Sequence, residues 1–510
     1  MIHPSRKYPR LNKLGQYQFN HFYDTVSKTR LLFQLHLRNY TMFTSKTQNS
    51  PRRFLLLAIP GAIVLALLGQ RFSIAEDENQ SPTDLKIVTF QVDVTPPIGD
   101  PLAYVPNEKV DTPIYVSGVV MDDGTTRAVW VSCDYIYICG ESYVKWTEMI
   151  AKQAGTVSKN VFLHSVHQHD SIRWAPEYNP KEGEDGPLVV SLQYCEKSLK
   201  DVADAIAIAV SGPWQSVGRL LTGEIRLAGL AANRRLVDEN GKFAFTRYSG
   251  KNPPALQAWP VGKIDPILRT VCFENTEGRR SVALHFYATH PMAAYMRNMV
   301  STDVPGRALR HVAENDDSVA LNIYFTGCGG DITFGKYNPG GAPAIELLGQ
   351  RLGDGILRNL QQLEEQPIGP LTVKRVAFEV PFNPALQLAS EYKGEQAQER
   401  RYFLETKDLW RQSSIARLSI GTKVHLFSFT LAEVFVDYQL YAQSLIPEHF
   451  LGTAAYGNGV YWYIPTRAAF EEEGGYETSD LACVVTPEID EVLRNAIRQC
   501  FNEVINDQVF

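Results

Sequence analysis

Short apolar runs that end abruptly in histidine or carboxylate constrain this chain more than any other feature of its sequence. The runs are 86–94, 128–133, 160–166, 281–289, 320–327 and 424–432. Several are apolar at consecutive positions, as strands covered by helices on both sides are. Between them lie longer helical patterns at 141–155, 190–211, 342–365 and 487–507. Alternation of this kind predicts an α/β fold of mixed β-sheets flanked by helices. No internal repeat of fixed period interrupts it. The Gln/Glu/Arg-rich stretch 388–412 reads as a solvated insertion or lid.

In α/β sheets, ligand sites gather where strands end at their carboxyl edge. Run 128–133 ends at Asp134, run 160–166 at His167-Gln168-His169-Asp170, and run 281–289 at His290. Run 320–327 leads through Gly329 and Gly330 to Asp331-Ile332-Thr333, and run 424–432 ends at Glu433 with Asp437 one turn further on. His167 and His169 are the sharpest signal, because residues two apart on an extended chain point to the same side. With His290 and Glu433 similarly placed at strand ends, a metal site becomes the stronger reading, and a His/His/Glu set with an open position suits zinc. Such a site brings the pKa of a bound water toward 7 and so supplies a hydrolytic nucleophile at neutral pH.

Each residue also has a plainer reading. The histidines fit a satisfied core, and Glu433 fits an acid at a helix N-terminus. Gly327, Gly329 and Gly330 suit a turn, a close backbone approach or N–H donors to an oxyanion. Packing accounts for most tyrosines of the Tyr/Gly-rich segment 456–477, although one phenol beside a metal would donate to an oxyanion.

Composition limits the class of protein. With 44% apolar and 21% charged residues in 510, the chain is neither largely disordered nor a polytopic membrane protein. Its seven cysteines include no CxxC pair, which argues against a thiolate zinc ribbon. Residues 1–75 carry eleven Lys/Arg against the single acid Asp24, yet the whole chain is at −6, so the main body is acidic. An acidic body is a poor polyanion binder, and nucleic acid is not an expected partner. The uncharged run 54–69, behind Arg52-Arg53 and ahead of Ser73 and Ala75, has the layout of a signal peptide, with a single membrane anchor as the alternative. Export to the periplasm, the cell surface or the medium is therefore expected. The domain plan is a basic extension at 1–53 (with Met42 as a candidate start), a signal or anchor at 54–75, a polar linker at 76–86 and a catalytic domain at 87–510.

In their order, six segments resemble the neutral/alkaline (non-lysosomal) ceramidases, specifically their catalytic domain. DVTPPIG (93–99) is similar to that family's opening signature, and HQHD (167–170) to its HTHSG motif. LHFYATHPMAAY (284–295), followed by Ser301-Thr302-Asp303, is similar to its histidine-proline segment, and GGDITF (329–334) to its GDVSPN motif. LAEVFVDYQLYAQ (431–443) is similar to its PGE segment, and VYWYIPT (460–466) with GGYE (474–477) to its YxxYxTT and RYE region. The resemblance implies a zinc amidohydrolase acting on a lipid amide, with His167, His290, Glu433 and Tyr463 as metal ligands. It implies a catalytic or substrate-contacting role for His169, a substrate contact for Arg234 in Asn233-Arg234, and oxyanion stabilisation by Tyr476. Thr333 falls at the family's active-site serine and keeps a hydroxyl with an added methyl group, which favours water held by the metal as nucleophile.

Two departures bear on substrate. Asp170-Ser171-Ile172-Arg173-Trp174 replaces a glycine-rich loop, and the sequence ends at Phe510 where the family usually continues into an immunoglobulin-like domain. Cleavage of an N-acyl amide such as ceramide is the leading expectation. A TIM-barrel metal amidohydrolase and a catalytically inactive exported relative are the alternatives.

Overall fold

The computed structural model describes residues 84–181, 183–388 and 392–507. Residues 80–180 and 185–510 group as one compact unit. Residues 1–79 with 181–184 group as another, of which only Lys181, Gly183 and Glu184 are described. The basic extension, the 54–75 segment and residues 76–83 of the linker lie outside the described residues. Among the described residues no helix is long and apolar enough to cross a membrane.

The first half of the larger unit supplies β1 (Lys86–Asp93), β2 (Tyr115–Asp122), β3 (Arg127–Cys133), α1 (Gly140–Ala154), β4 (Val161–Ser165) and α2 (Leu192–Ser211). It continues with β5 (Gln215–Arg226), β6 (Ile267–Asn275), β7 (Arg280–Tyr287), α3 (Asp303–Asn315), β8 (Asn322–Thr326) and α4 (Ala342–Leu360). These strands form one mixed sheet in the order β8-β7-β6-β5-β1-β2-β3-β4, with β7–β8 and β3–β4 parallel. The rest of the unit adds β9 (Leu371–Glu379), α5 (Glu395–Thr406), β10 (Gln412–Ile420), β11 (Val424–Phe429), α6 (Val436–Leu445), β12 (Phe450–Ala454) and α7 (Ile489–Asp507). A second sheet runs β9-β10-β11-β12, with β11–β12 parallel.

The period-2 alternation of strand side chains sorts the core into layers. On β2 and β3, Val119, Met121 and Trp130 pack with Leu418 and Leu426 of the second sheet. Their neighbours Val116, Val120 and Val131 pack under Trp146 and Ile150 of α1 and Val202 of α2. Strands apolar on both faces are thus covered by helices on one side only and by the second sheet on the other. The run composition is the same in either case, which is why the sequence suggested helices on both. Gly118 is needed where the ring of its cross-strand partner Phe90 lies over it, since a Cβ there would come 2.5 Å from that ring.

The large sheet rolls until its edge strands approach without pairing. The Ser132 hydroxyl donates to the Tyr324 carbonyl at 2.7 Å, and the Thr326 hydroxyl to the Val166 carbonyl at 2.7 Å. Among the described residues no closed barrel forms, which excludes the TIM-barrel alternative. The roll brings the carboxyl ends of β4 and β7, far apart in strand order, to one place.

The stretch read as a solvated insertion is instead built into the body. On α5, Glu399, Arg400 and Phe403 are buried, Phe403 packs edge-on to Phe382 at 5.1 Å, and Arg400 lies over the Trp462 ring at 4.2 Å. Its charged side chains hid this in the sequence, because the aromatic partners lie far along the chain.

Candidate metal centre

Three histidines converge at the carboxyl ends of β4 and β7. His167 and His169 follow β4 and His290 follows β7, all nearly fully buried. The pair does not converge by strand alternation, as the sequence suggested. His167 has left the strand and adopts φ +75°, a left-handed conformation costly for a residue with a Cβ. That turn is held by the His167 N–H on the Tyr135 carbonyl at 2.9 Å.

His167 Nδ1 lies 2.9 Å from the Ile136 carbonyl, and His169 Nδ1 lies 3.1 Å from the His167 carbonyl. A carbonyl only accepts, so these partners assign the proton to Nδ1 and leave Nε2 with a lone pair. His290 Nδ1 faces two further acceptors, the Gly329 carbonyl at 3.4 Å and Glu433 Oε2 at 3.7 Å, which favours the same tautomer. The Nε2 atoms then point at one another: His290 Nε2 is 3.2 Å from His167 Nε2 and 3.4 Å from His169 Nε2. Burial pushes His169 down to about 3 and holds His167 and His290 well below the usual histidine range, so all three rings are neutral near pH 7.

Neutral lone pairs packed this closely repel unless a cation lies between them. Donors at about 2.0–2.1 Å from a tetrahedral zinc ion lie roughly 3.3 Å apart, the separation seen here. The carboxylate completes the fit. Glu433 Oε2 lies 3.8 Å from His167 Nε2 and is buried without a hydrogen-bond partner. Its other oxygen accepts the Tyr137 hydroxyl, and the Tyr463 hydroxyl bonds the same carboxylate. Burial raises Glu433 to about 7 against both of those bonds and against the attraction of Arg234.

Glu433 and Tyr463 face each other across a two-residue parallel ladder, Glu433–Val434 with Tyr463–Ile464. The Arg234 guanidinium lies over the Tyr463 ring at 5.2 Å, with its Nε donating to the buried Glu477, and Tyr476 meets Tyr463 edge-on at 5.7 Å. These groups open onto a cavity of about 830 Å³ lined by His167, His169, His290, Glu433, Tyr463, Arg234 and Tyr476. Seven of the eight site residues read from the sequence are therefore brought together. His169, assigned there to catalysis, is placed as a nitrogen donor equivalent to the other two.

The eighth, Thr333, lies behind the cavity wall. It sits in a short ladder, Ile332–Thr333 against Ala232–Asn233, that turns its hydroxyl onto Ser249 Oγ at 3.1 Å. Ser249, not Thr333, lines the cavity.

The other run-ending carboxylates are structural. Asp134 accepts the Tyr115 N–H at 2.9 Å, Asp170 pairs with Arg297 at 2.6 Å, and Asp437 with Lys263 at 2.7 Å. The glycines serve close approach. A Cβ on Gly329 would come 2.3 Å from the Thr289 carbonyl oxygen, and one on Gly330 2.4 Å from that of Glu433. The N–H groups of Gly327 and Gly330 are bonded to the Tyr287 and Val434 carbonyls, which removes them as oxyanion donors.

Asp331 accepts the Val436 N–H at 2.9 Å and Asn233 Nδ2 at 2.7 Å, and burial raises it to about 7. Its folded value lies above the unfolded one, so its stability contribution is full below about pH 4 and is lost as pH rises to about 7. Asp331→Asn is expected to flatten the pH dependence of unfolding between those limits by on the order of a few kcal/mol, read by urea titration.

Sequence reasoning missed Tyr137, Tyr456 and Tyr104. Tyr456 stacks on His167 at 4.3 Å and 22°, with a buried hydroxyl that has no partner, and Tyr104 stacks on His169 at 5.9 Å and 16°. Tyr137 comes four residues after the apolar run 128–133, so the end of that run did point to the site, through a tyrosine rather than through Asp134.

No family model matches the sequence, and no curated protein matches it significantly. The solved structures do. A neutral ceramidase from Pseudomonas aeruginosa superposes with a TM-score of 0.62 at 14% identity, over 83% of this chain and 75% of that one. The fold is that of the neutral ceramidases. A ceramidase complexed with C2 gives a TM-score of 0.61 at 14% identity, over 84% of this chain and 76% of its own. The resemblance read from six short segments thus extends to the three-dimensional arrangement of the ceramidase fold.

Proposed function

We propose that this chain is a metal-dependent hydrolase that cleaves an N-acyl amide, with ceramide-like lipids as the first substrate class. The observation that carries this reading is the convergence of three neutral Nε2 lone pairs beside an unpartnered buried carboxylate oxygen, at the bottom of an open cavity. The ceramidase fold supports it.

His167, His169, His290 and Glu433 would hold the ion, with Tyr463 beside them. Nitrogen and carboxylate donors of this kind suit zinc. Zinc there would supply Lewis acidity and a water acidic enough to attack a carbonyl at neutral pH. The chain's own groups do the rest. Tyr137 and Tyr463 fix the Glu433 carboxylate through hydrogen bonds. Arg234 and Tyr476 stand on the same wall as donors for a carbonyl oxygen that gains charge, where prepositioned donors act most strongly. Tyr476 is 44% exposed, and partial burial beside the Glu433 carboxylate pushes its phenol up to about 12, so it keeps its proton for that task. Rings of the buried Tyr137 and Tyr456 pack against His167, and the ring of Tyr104 stacks on His169. Residues 54–75 are assigned to export or anchoring.

Glu433→Gln keeps the shape and the Tyr137 contact but removes the charge. It is expected to lower acid release from an N-acyl amide by about a thousandfold or more. Turnover equal to wild type would refute the site assignment.

A further inference from the structure

The wall beside Arg234 carries a hydroxyl that the mechanism above does not use. The strand Phe243–Thr246 pairs with Arg235–Val237, and just past its end the Arg247 N–H bonds the Arg234 carbonyl at 2.7 Å. Two residues further on, Ser249 lines the cavity at 4% exposure. Its carbonyl accepts Asn338 Nδ2 at 2.8 Å, and the same amide nitrogen donates at 2.8 Å to the carbonyl of Ala293, three residues after His290. Ser249 is thus tied on one side to Arg234 and on the other to the segment that follows a histidine of the candidate metal centre.

The segment that carries Ser249 is firmly held. The Arg247 guanidinium is fully buried and donates to the carbonyls of Asn233, Leu256, Trp259 and Pro260. Asn252 Nδ2 bridges the Tyr248 and Gly335 carbonyls at 2.7 and 3.0 Å. A Cβ on Gly335 would come 1.8 Å from the Tyr248 carbonyl oxygen, so the two segments press directly on each other. A donor fixed in this way needs no reorganisation when charge appears in front of it.

Counting protons shows what the Ser249 hydroxyl can do. Thr333 Oγ1 accepts the Gly335 N–H at 3.0 Å and lies 3.1 Å from Ser249 Oγ. Thr333 is fully buried, and among the described residues its hydroxyl makes no other hydrogen bond. Its proton therefore has one acceptor, Ser249 Oγ. The reverse bond would strand the Thr333 proton in a dry place, where an unmade hydrogen bond is costly. With Thr333 donating, the proton of Ser249 is left for whatever occupies the cavity.

We propose that Ser249 is a further catalytic residue, whose hydroxyl donates to the carbonyl oxygen of the scissile amide beside Arg234 and Tyr476, and that Thr333 positions it. The inference rests on the amide-hydrolase reading above and deepens it. The bond strengthens as that oxygen gains charge, so its loss falls on kcat rather than on KM.

The test uses the zinc-loaded full chain and a short-chain ceramide. Ser249→Ala is expected to lower kcat by about a hundredfold and to leave KM within about threefold. Thr333→Val keeps the shape but removes the donor, and is expected to lower kcat by about tenfold, while Thr333→Ser restores it to within about twofold. In the Ser249→Ala background, Thr333→Val is expected to add less than about twofold, because it acts through Ser249. A packing role for Thr333 would instead multiply the two losses. Calorimetry with acetohydroxamate, a carbonyl ligand for zinc, needs no turnover: affinity about tenfold weaker in Ser249→Ala is expected. Weaker hydroxamate binding in that variant, with no ceramide hydrolysis by any form, would support the contact while overturning the amidase reading. Neither hydrolysis nor hydroxamate binding by the wild type would overturn both. Unchanged kcat or unchanged hydroxamate affinity in Ser249→Ala, or multiplied losses in the double variant, would overturn the proposal.

Discussion

Replacing His290 with alanine is expected to abolish metal retention and amide hydrolysis together while leaving the fold intact. His290 is the hub of the nitrogen cluster, since its Nε2 is within 3.4 Å of both His167 and His169 Nε2. Without it the ion loses the ring nitrogen that both other histidines face, one protein ligand of the set, and with it most of its affinity. Metal content by elemental analysis should fall from about one ion per chain to near zero, and hydrolysis by at least about a thousandfold. Stability should separate this from unfolding. In the metal-free protein three lone pairs crowd a buried space, so the alanine variant should be no less stable than metal-free wild type. Only the wild type should gain stability when zinc is added, by mass action. A variant that retains its metal would contradict the assignment.

The largest stability effect is expected at Glu477. This carboxylate is fully buried, takes the Nε of Arg234, and lies 2.8 Å from Nη1 of Arg235. Arg235 is also bound to Glu472 at 2.8 Å and to the carbonyls of Ala469 and Gly474. Burial works to raise Glu477, but the two guanidiniums outweigh it and hold the carboxyl below its usual range. Glu477→Gln leaves two buried cations facing a neutral amide, at a cost of about 3–5 kcal/mol. The sign with pH follows from the lowered value: the contribution is present above the unfolded carboxyl pKa and is lost as pH falls through the folded one. Denaturant titrations at pH 7 and pH 3 should therefore show a large gap between wild type and variant that shrinks in acid. Equal stability at pH 7 would show that the pair is solvated or replaceable.

Much of the site was legible because strand ends carry local signals. His167, His169, His290 and Glu433 each follow an apolar run, and such runs are easily read. Where the chain leaves the strand, the legible rule gave the wrong geometry: the HxH pair converges through a left-handed turn at His167, which no spacing announces. The rolled sheet was invisible, because the contacts that close it join Ser132 to Tyr324 and Thr326 to Val166, residues far apart in sequence. Thr333 was placed at the centre by motif position, yet a two-residue ladder turns it onto Ser249. The polar composition of α5 suggested a solvated lid, whereas its arginine and glutamates find buried partners in Trp462 and Arg173.

Metal-dependent amide hydrolysis at the three-histidine centre is the function proposed for this chain. It is tested most directly by acid release from N-acyl amides, a ceramide among them, using purified protein as zinc-loaded, chelated and zinc-restored samples. Release that disappears on chelation and returns with zinc is the predicted result. Absence of release from a folded, zinc-loaded sample, or release indifferent to the chelator, would contradict it.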